Sequence, residues 1–575
     1  MKVSDYIVAF LERKGVTCAF ELSGGMIAHL LDSFGRQNKI KVVSMHHEQG
    51  AAFAAEAYGR MTGVPGVALA TSGPGATNLL TGVGSCYFDS SPAVFITGQV
   101  NRHEQKGDRP IRQLGFQETD IVGMAAPITK AAWKIHTPEE LPQKFESAFD
   151  LATSGRPGPV MLDVPMDIQR ADIPLEPAAS MAGQNQVSPV PAESFWLRLG
   201  EQMRQAQRPL ILIGGGIRSG LAAELLRDFA THAGVPVVHS LMAVDVLPCS
   251  HPLRVGMIGS YGNRWANWAL GTADFLLVLG SRLDVRQTGS ETQSFKGDRA
   301  IFHVDCDAGE INNRIVGCES AVCQMKDFLS VGIGKLPEFR LPPRPDWLAQ
   351  IAAKRQEWPD VRETANISGL NPNEFMHSLA QASGRACAYV VDVGQHQMWA
   401  AQSLELNARQ RFLTSGGMGS MGFALPAAVG TAFACPKEPI VVIAGDGAFQ
   451  CNIQELQTVK RNHLPLKIVV INNHCHGMVR QFQESYFDSR FQSTMWGYSA
   501  PDFVKVAEAY GIPGRRISRP EEVAEALRWL WADTVSPMLL EVDIASSVNV
   551  YPKMAFGRPI TEMEPFAKPL GMEGT

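Results

Sequence analysis

The chain has 575 residues, with 52 Lys plus Arg against 57 Asp plus Glu, charged residues at 19% and hydrophobic ones at 45%. At roughly 100 to 200 residues per domain it holds about three to five domains, and its net charge of -5 disfavours a dedicated nucleic-acid or anionic-membrane binder. The 53 Gly and 36 Pro are dispersed rather than massed, which argues against long disorder.

The opening MKVSDYIVAFLERKG is amphipathic, with Asp5, Glu12, Arg13 and Lys14 breaking any signal-peptide core, and reads as a helix of the mature protein. Short β-branched runs follow along the chain: VVSM (42–45), LILIGGG (210–216), FLLVLG (275–280), IVVIAGDG (440–447) and LKIVVINN (466–473). Helical stretches separate them, a texture that predicts an α/β protein of three doubly wound parallel-sheet domains. The expected division is domain 1–170, linker 171–194, domain 195–335, linker 336–371, domain 372–550 and a tail 551–575. The first and last domains are candidates for distant copies of one fold. The uncharged run 412–436 is rich in glycine and reads as a loop entering a core helix, not a membrane span. Ten scattered Cys without CxxC pairs fit reduced, mostly buried thiols of a cytoplasmic protein.

The last domain carries the most chemical pattern. Asp446 ends one strand run and Asn473 ends the next, 27 residues later, so parallel pairing places both at the carboxyl edge where open α/β sheets bind ligands. Their oxygens suit one hard cation such as Mg²⁺, with phosphate completing its shell, and Gly445 and Gly447 leave room for the phosphates. Either residue alone reads as a helix cap or a turn. The GDG and NN pattern together does not.

GDG followed by NN resembles the signature of thiamine-diphosphate (ThDP) enzymes, and the whole chain resembles the FAD-dependent acetolactate synthase catalytic subunit. HHEQGAAFAAEAYGRMTG (46–63), TSGPGATN (71–78), SGRPGPV (154–160), VGQHQMWAAQ (393–402), TSGGMGSMGFALPAA (414–428) and NVYP (549–552) carry the likeness. It implies a pyrimidine-binding first domain, an FAD-binding central domain and a diphosphate-binding last domain. Asp446, Asn473 and the backbone of Cys475 become the Mg²⁺ ligands. Glu48 becomes the carboxylate that shares a proton with the cofactor's aminopyrimidine, with His46 and His47 given no role. Met421 becomes the apolar support between the cofactor rings, beside the backbone of Gly419. Gln117 and Phe116 match an active-site glutamine and the ring lining the donor pocket.

In the central domain GGGIRSG, MIGSYG, GSRLDVRQTG and HVDCDAGEIN resemble the family's FAD site, with Arg156, Gly214, Gly215, Gly216, Arg282, Asp284, Arg286, Asp305 and Asp307 at matching positions. The acceptor side departs from the pattern. Phe482 stands where a tryptophan is usual, Ser260 and Tyr261 replace Met and His, Val285 replaces an acidic residue, and Ser23 replaces a proline. Arg286, which would bind a second 2-oxo acid, is retained, and Met478 joins it as a substrate candidate. The resemblance implies decarboxylation of pyruvate and transfer of its two-carbon unit to a carbonyl acceptor, a second pyruvate in an acetolactate synthase. A bulkier ketone or deoxy-keto-sugar is the alternative acceptor. An FAD-using pyruvate oxidase and a non-catalytic regulatory homologue are the remaining readings. No nucleic acid or membrane is expected as partner. A homodimer with shared active sites is expected, with a homotetramer as the larger possibility.

Overall fold

Apart from the edge strand Lys41–Ser44, the apolar runs form strands buried on both faces, as parallel sheets covered by helices require. The computed structural model describes residues 1–173 and 190–570. Most of the expected first linker, and residues 571–575, therefore lie outside the described residues. The N-terminal helix spans Val3–Arg13, as its amphipathic pattern predicts.

The first sheet contains β1 (Cys18–Leu22), β2 (Lys41–Ser44), β3 (Gly66–Ala70), β4 (Ala93–Gln99), β5 (Ala131–Lys134) and β6 (Pro159–Pro165), all parallel, in the order β2-β1-β3-β4-β6-β5. The central sheet contains β7 (Pro209–Ile213), β8 (Val237–His239), β9 (Arg254–Met257), β10 (Phe275–Leu279), β11 (Ala300–Asp305) and β12 (Glu319–Val322), also parallel, in the order β12-β11-β10-β7-β8-β9. Counted from its own first strand this is 6-5-4-1-2-3, the dinucleotide-binding order, whose direction reverses between β7 and β10.

The last sheet contains β13 (Ala388–Val391), β14 (Arg411–Leu413), β15 (Ile440–Gly445), β16 (Leu466–Asn472), β17 (Gly514–Ile517) and β18 (Met538–Asp543). Its order, β14-β13-β15-β16-β18-β17, repeats that of the first sheet strand for strand. The two outer domains thus have one topology. They also share one hydrophobic core, in which Phe53, Ala54 and Ala68 belong to the same cluster as Phe423, Val429 and Val442. The helices Glu48–Thr62 and Ala424–Ala434 pack along each other at its centre. Gly430 allows this, since a Cβ there would collide with the carbonyl oxygen of Ala54. The central domain keeps a separate core around Trp196, Phe229 and Phe302.

Two stretches expected as linker and tail are structured. Within 336–371 lies the helix Pro345–Glu357, whose Trp347 is 2% exposed and donates its indole N–H to Pro209 O at 3.1 Å. Beyond residue 550, Lys553–Met554 pairs antiparallel with Met563–Glu564. Arg264 fixes this hairpin by donating to Glu564 O at 3.0 Å while stacking on Trp358 and Phe566. Six of the ten Cys are buried.

Candidate active site

Gly445 of β15 pairs with Ile471 of β16, so the residues that leave the two strands, Asp446 and Asn473, emerge together at the sheet's carboxyl edge. This edge adjoins the β13/β15 switch in strand order, where ligands of such sheets bind. Asp446 is 2% and Asn473 6% exposed. The Asn473 amide oxygen lies 3.1 Å from Asp446 Oδ1 and 2.8 Å from the Cys475 carbonyl, while its Nδ2 donates to Gln395 Oε1 at 2.9 Å. Three oxygens this close repel. Either the amide turns so that its nitrogen donates to both, or a hard cation sits among them. A carboxylate, an amide and a backbone carbonyl are the oxygen donors that Mg²⁺ takes, so the donor set fits the ion. Asp446 Oδ2 also accepts from Tyr498 Oη at 2.9 Å, and burial pushes this carboxyl up to about 6.

The glycines beside Asp446 are needed for a reason that the sequence does not show. A Cβ on Gly445 would lie 2.7 Å from His396 Nδ1, and one on Gly447 2.7 Å from His476 Cε1. An imidazole ring packs against the Cα of each glycine. His396 is buried, burial pushes its pKa down to about 3, and its Nε2 has no protein partner. A neutral, unpaired ring nitrogen next to the Asp446 turn suits a phosphate oxygen.

In the first domain, Glu48 opens the helix Glu48–Thr62 and is 6% exposed. Its Oε2 accepts from Asn78 Nδ2 at 2.9 Å, and a Cβ on Gly75 would lie 3.1 Å from Oε1, which accepts no hydrogen bond among the described residues. Gln117 faces the same TSGPG turn. Its Cβ lies 3.0 Å from where a Cβ on Gly73 would be, and its own φ of 66° is left-handed, a strained setting for a non-glycine residue. Neighbouring Phe116 is 79% exposed. In the last domain Gly419 has φ +70° with open space beside it, and Met421 is 37% exposed. No hydrogen bond or ion pair joins Glu48 to Met421, Asp446 or Asn473 among the described residues.

The central cleft opens at the β7/β10 reversal. Gly216 N donates to Gly280 O at 3.0 Å, and a Cβ on Gly216 would lie 2.7 Å from Gly280 Cα, so backbone meets backbone at the cleft floor. Counting its open mouth, the cleft has about 1700 Å³ of unfilled space. Arg156, Gly214, Gly215, Gly216, Arg282, Asp284, Arg286 and Asp305 line it. Asp307 does not. Its Oδ1 accepts from Gly309 N at 2.9 Å and its Oδ2 pairs with Arg156 at 3.4 Å, while Glu310 both pairs with Arg156 and lines the cleft. Asp284 caps the turn Val285–Thr288 and pairs with Arg282 at 3.1 Å.

Ser260 lines the same cleft, donating through N and Oγ to Arg286 O at 2.7 and 3.1 Å. Met478 and Phe482, on the helix Gly477–Tyr486, do not line it. Phe482 packs against Tyr486 with the rings tilted by 49° and their centroids 4.8 Å apart. The C-terminal hairpin connects the two groups, since Met554 N donates to Ser260 O at 2.7 Å and Lys553 lies over the Tyr486 ring at 5.4 Å.

Comparison with known proteins matches the N-terminal TPP binding domain of thiamine pyrophosphate enzymes at residues 1–124, their central domain at 198–331 and their C-terminal TPP binding domain at 392–542. The acetolactate synthase isozyme 2 large subunit of Escherichia coli is 37% identical over 98% of this chain and 99% of its own. The chain belongs to the acetolactate synthase family. The acetolactate synthase large subunit of Lactococcus lactis is 35% identical over 97% of this chain and 95% of its own, and acetolactate synthase 2, chloroplastic, of Nicotiana tabacum 35% over 97% and 84%. This family member is an α/β protein of three thiamine pyrophosphate enzyme domains, and among its described residues no helix is long and apolar enough to cross a membrane. Sequence reasoning missed His396, His476, Tyr498 and Glu310. His396 stood inside the quoted stretch VGQHQ, but only the fold brings its ring against Gly445.

Proposed function

We propose that the protein decarboxylates pyruvate and joins the resulting two-carbon acetyl equivalent to a carbonyl acceptor, a second pyruvate in the leading reading. The observation that carries this is the match over nearly the full chain to proteins named acetolactate synthase. Mg²⁺ would be held by Asp446, Asn473 and the Cys475 carbonyl, and ThDP through it. When bound, ThDP supplies a nucleophilic carbon that attacks the 2-oxo carbonyl and takes up the electron pair left as CO₂ departs. Glu48 Oε1 is free to hold the proton shared with the cofactor's ring nitrogen, and Met421 offers the apolar support beside the Gly419 backbone. Gln117 and Phe116 border the donor, and Arg286 pairs with the acceptor carboxylate.

FAD fits the central cleft by its place at the strand-order reversal, its glycine floor and the arginines Arg156 and Arg282. Carboligation moves no net electrons, so the flavin would stay oxidised. Phe116, Met124 and Met418 are exposed at 79%, 51% and 42%, apolar surface that a second copy would cover, and we assign complete sites to a homodimer, or a homotetramer built from it. The domain limits 1–170, 195–335 and 372–550 and a cytoplasmic location belong to the same reading.

A second reading, transfer to a bulkier ketone or deoxy-keto-sugar, draws on the small Ser260 side chain and on Tyr261, both lining the cleft beside Arg286. Labelled pyruvate supplied with ThDP, Mg²⁺ and FAD, followed by NMR of the products, tests both. Acetolactate is expected. A ligated product only when a larger ketone is added would favour the second reading. Absence of CO₂ release and of any ligated product would overturn both, and bleaching of the flavin by pyruvate without oxygen would point to an oxidase.

A further inference from the structure

Residues 411–424, which run from β14 through the glycine-rich loop, are held by three carboxylates, one from each domain. Asp245 of the central domain, 3% exposed, accepts from Arg411 Nε at 2.8 Å and Phe412 N at 3.2 Å. Asp89, at the end of the first-domain helix Pro74–Phe88, accepts from Gly416 N at 3.0 Å and Gly417 N at 2.6 Å. Asp392, which follows β13 and is 1% exposed, accepts from Gly422 N at 2.9 Å and Ala424 N at 2.8 Å. Between the last two anchors lies the stretch that presents Gly419 and Met421.

Asp89 is half-buried, and with Asp245, Gly416 and Gly417 it lines the central cleft; of the carboxylates that do so, it is the one bonded to the loop itself. The loop sits tightly on it. A Cβ on Gly417 would lie 2.8 Å from Phe88 Cβ and 2.9 Å from Asp89 Oδ1, so only glycine lets the loop backbone come close enough for both amides to bond to Asp89. One carboxylate is therefore at once a wall of the cleft and the root of the loop.

We propose that Asp89 is a positioning residue that couples the two cofactor sites: a dinucleotide in the central cleft packs against Asp89 and the Gly416–Gly417 amides it holds, and thereby fixes the loop carrying Gly419 and Met421 for ThDP. This rests on the cofactor assignments proposed above. It gives a redox-idle flavin a task, that of an effector whose binding energy orders the neighbouring site.

The test is a pair of titrations on the full-length protein, ThDP with Mg²⁺ followed by tryptophan fluorescence, without and with saturating FAD. FAD should tighten ThDP binding by about tenfold, and by linkage ThDP should tighten FAD binding by the same factor. In Asp89→Asn, where one of the two acceptor oxygens becomes a donor, both ligands should still bind but the factor should fall below about twofold. A purely structural role for Asp89 would change affinities and leave that factor intact, which would overturn the proposal. So would equal ThDP affinity with and without FAD in the wild type, an outcome that leaves the cofactor assignments standing. Failure of FAD to bind at all would overturn proposal and assignment together. Hydrogen exchange of wild-type peptides covering 412–424 keeps the question open to refutation if the variant does not fold. FAD alone should slow exchange there, and unchanged exchange counts against the coupling.

Discussion

Replacing Gly445 by Ala isolates the part played by His396. Gly445 has φ -87° and ψ 164°, an extended backbone that alanine adopts without strain, so the only new feature is the methyl group. That methyl would lie 2.7 Å from His396 Nδ1 and 2.9 Å from Cε1, well inside ordinary contact, and the buried ring must turn or move away. If the unpaired Nε2 of His396 donates to the cofactor's diphosphate, the displacement removes a hydrogen bond to a charged group, worth about 1.5 to 3 kcal/mol. ThDP affinity should then fall by about tenfold to a hundredfold. Titration of ThDP with saturating Mg²⁺ measures it, with thermal unfolding of the unliganded protein as the control for general damage. His396→Ala should weaken binding by a similar factor. The double variant should lose far less than the product of the two single losses, because the added methyl then meets empty space. Wild-type affinity in Gly445→Ala, or full additivity in the double variant, would show that His396 does not hold the cofactor.

Three further outcomes follow from the site. Glu48→Gln should lower kcat by more than about a hundredfold while ThDP affinity stays within about threefold, read by steady-state kinetics beside a binding titration, since the amide keeps the shape but not the charge. Asp446→Ala should weaken ThDP binding and abolish its dependence on Mg²⁺, so a variant that still responds to EDTA would free Asp446 from the metal site. Phe482→Trp combined with Ser260→Met should shift the product ratio toward acetolactate by about tenfold in a competition with a bulkier ketone, and an unchanged ratio would mean that these positions do not choose the acceptor.

What the sequence disclosed and what it hid divide along the distance between residues. Asp446 and Asn473 were legible because each ends a β-branched run, and parallel neighbours bring their ends together without further knowledge. Gly214, Gly215 and Gly216 were legible only through the family resemblance, since a glycine triplet after a strand is by itself often just a tight turn. The pairing of Gly445 with His396 was not, because the ring arrives on a different segment, the helix Gln395–Ser403. Asp307 and Glu310 are three residues apart, and only the path of the turn decides which lines the cleft. The proline-rich texture of 336–371 resembled a linker, yet it buries Trp347 against the central sheet, and a single tryptophan outweighs several prolines in deciding whether a stretch packs. The hairpin at 553–564 has strands of two residues each, too short for any periodicity to announce.

The shared core of the outer domains has a consequence for dissecting the protein. Strand for strand the first and last sheets are one design used twice, and the helices Glu48–Thr62 and Ala424–Ala434 are its corresponding parts, clasped face to face through Ala54 and Gly430. Neither half can be excised whole. A fragment ending at residue 173 would bare Ala51, Phe53 and Ala54 to water, and one beginning at 372 would bare Phe423, Leu425 and Ala428, so each should aggregate when expressed alone and recover solubility when the two are produced together. The segment 190–360 buries Trp196, Phe229 and Phe302 among its own side chains, but Ile560 and Met554 of the C-terminal hairpin complete the cluster around Trp347, so among the described residues it is a fragment that should fold alone with that face uncovered.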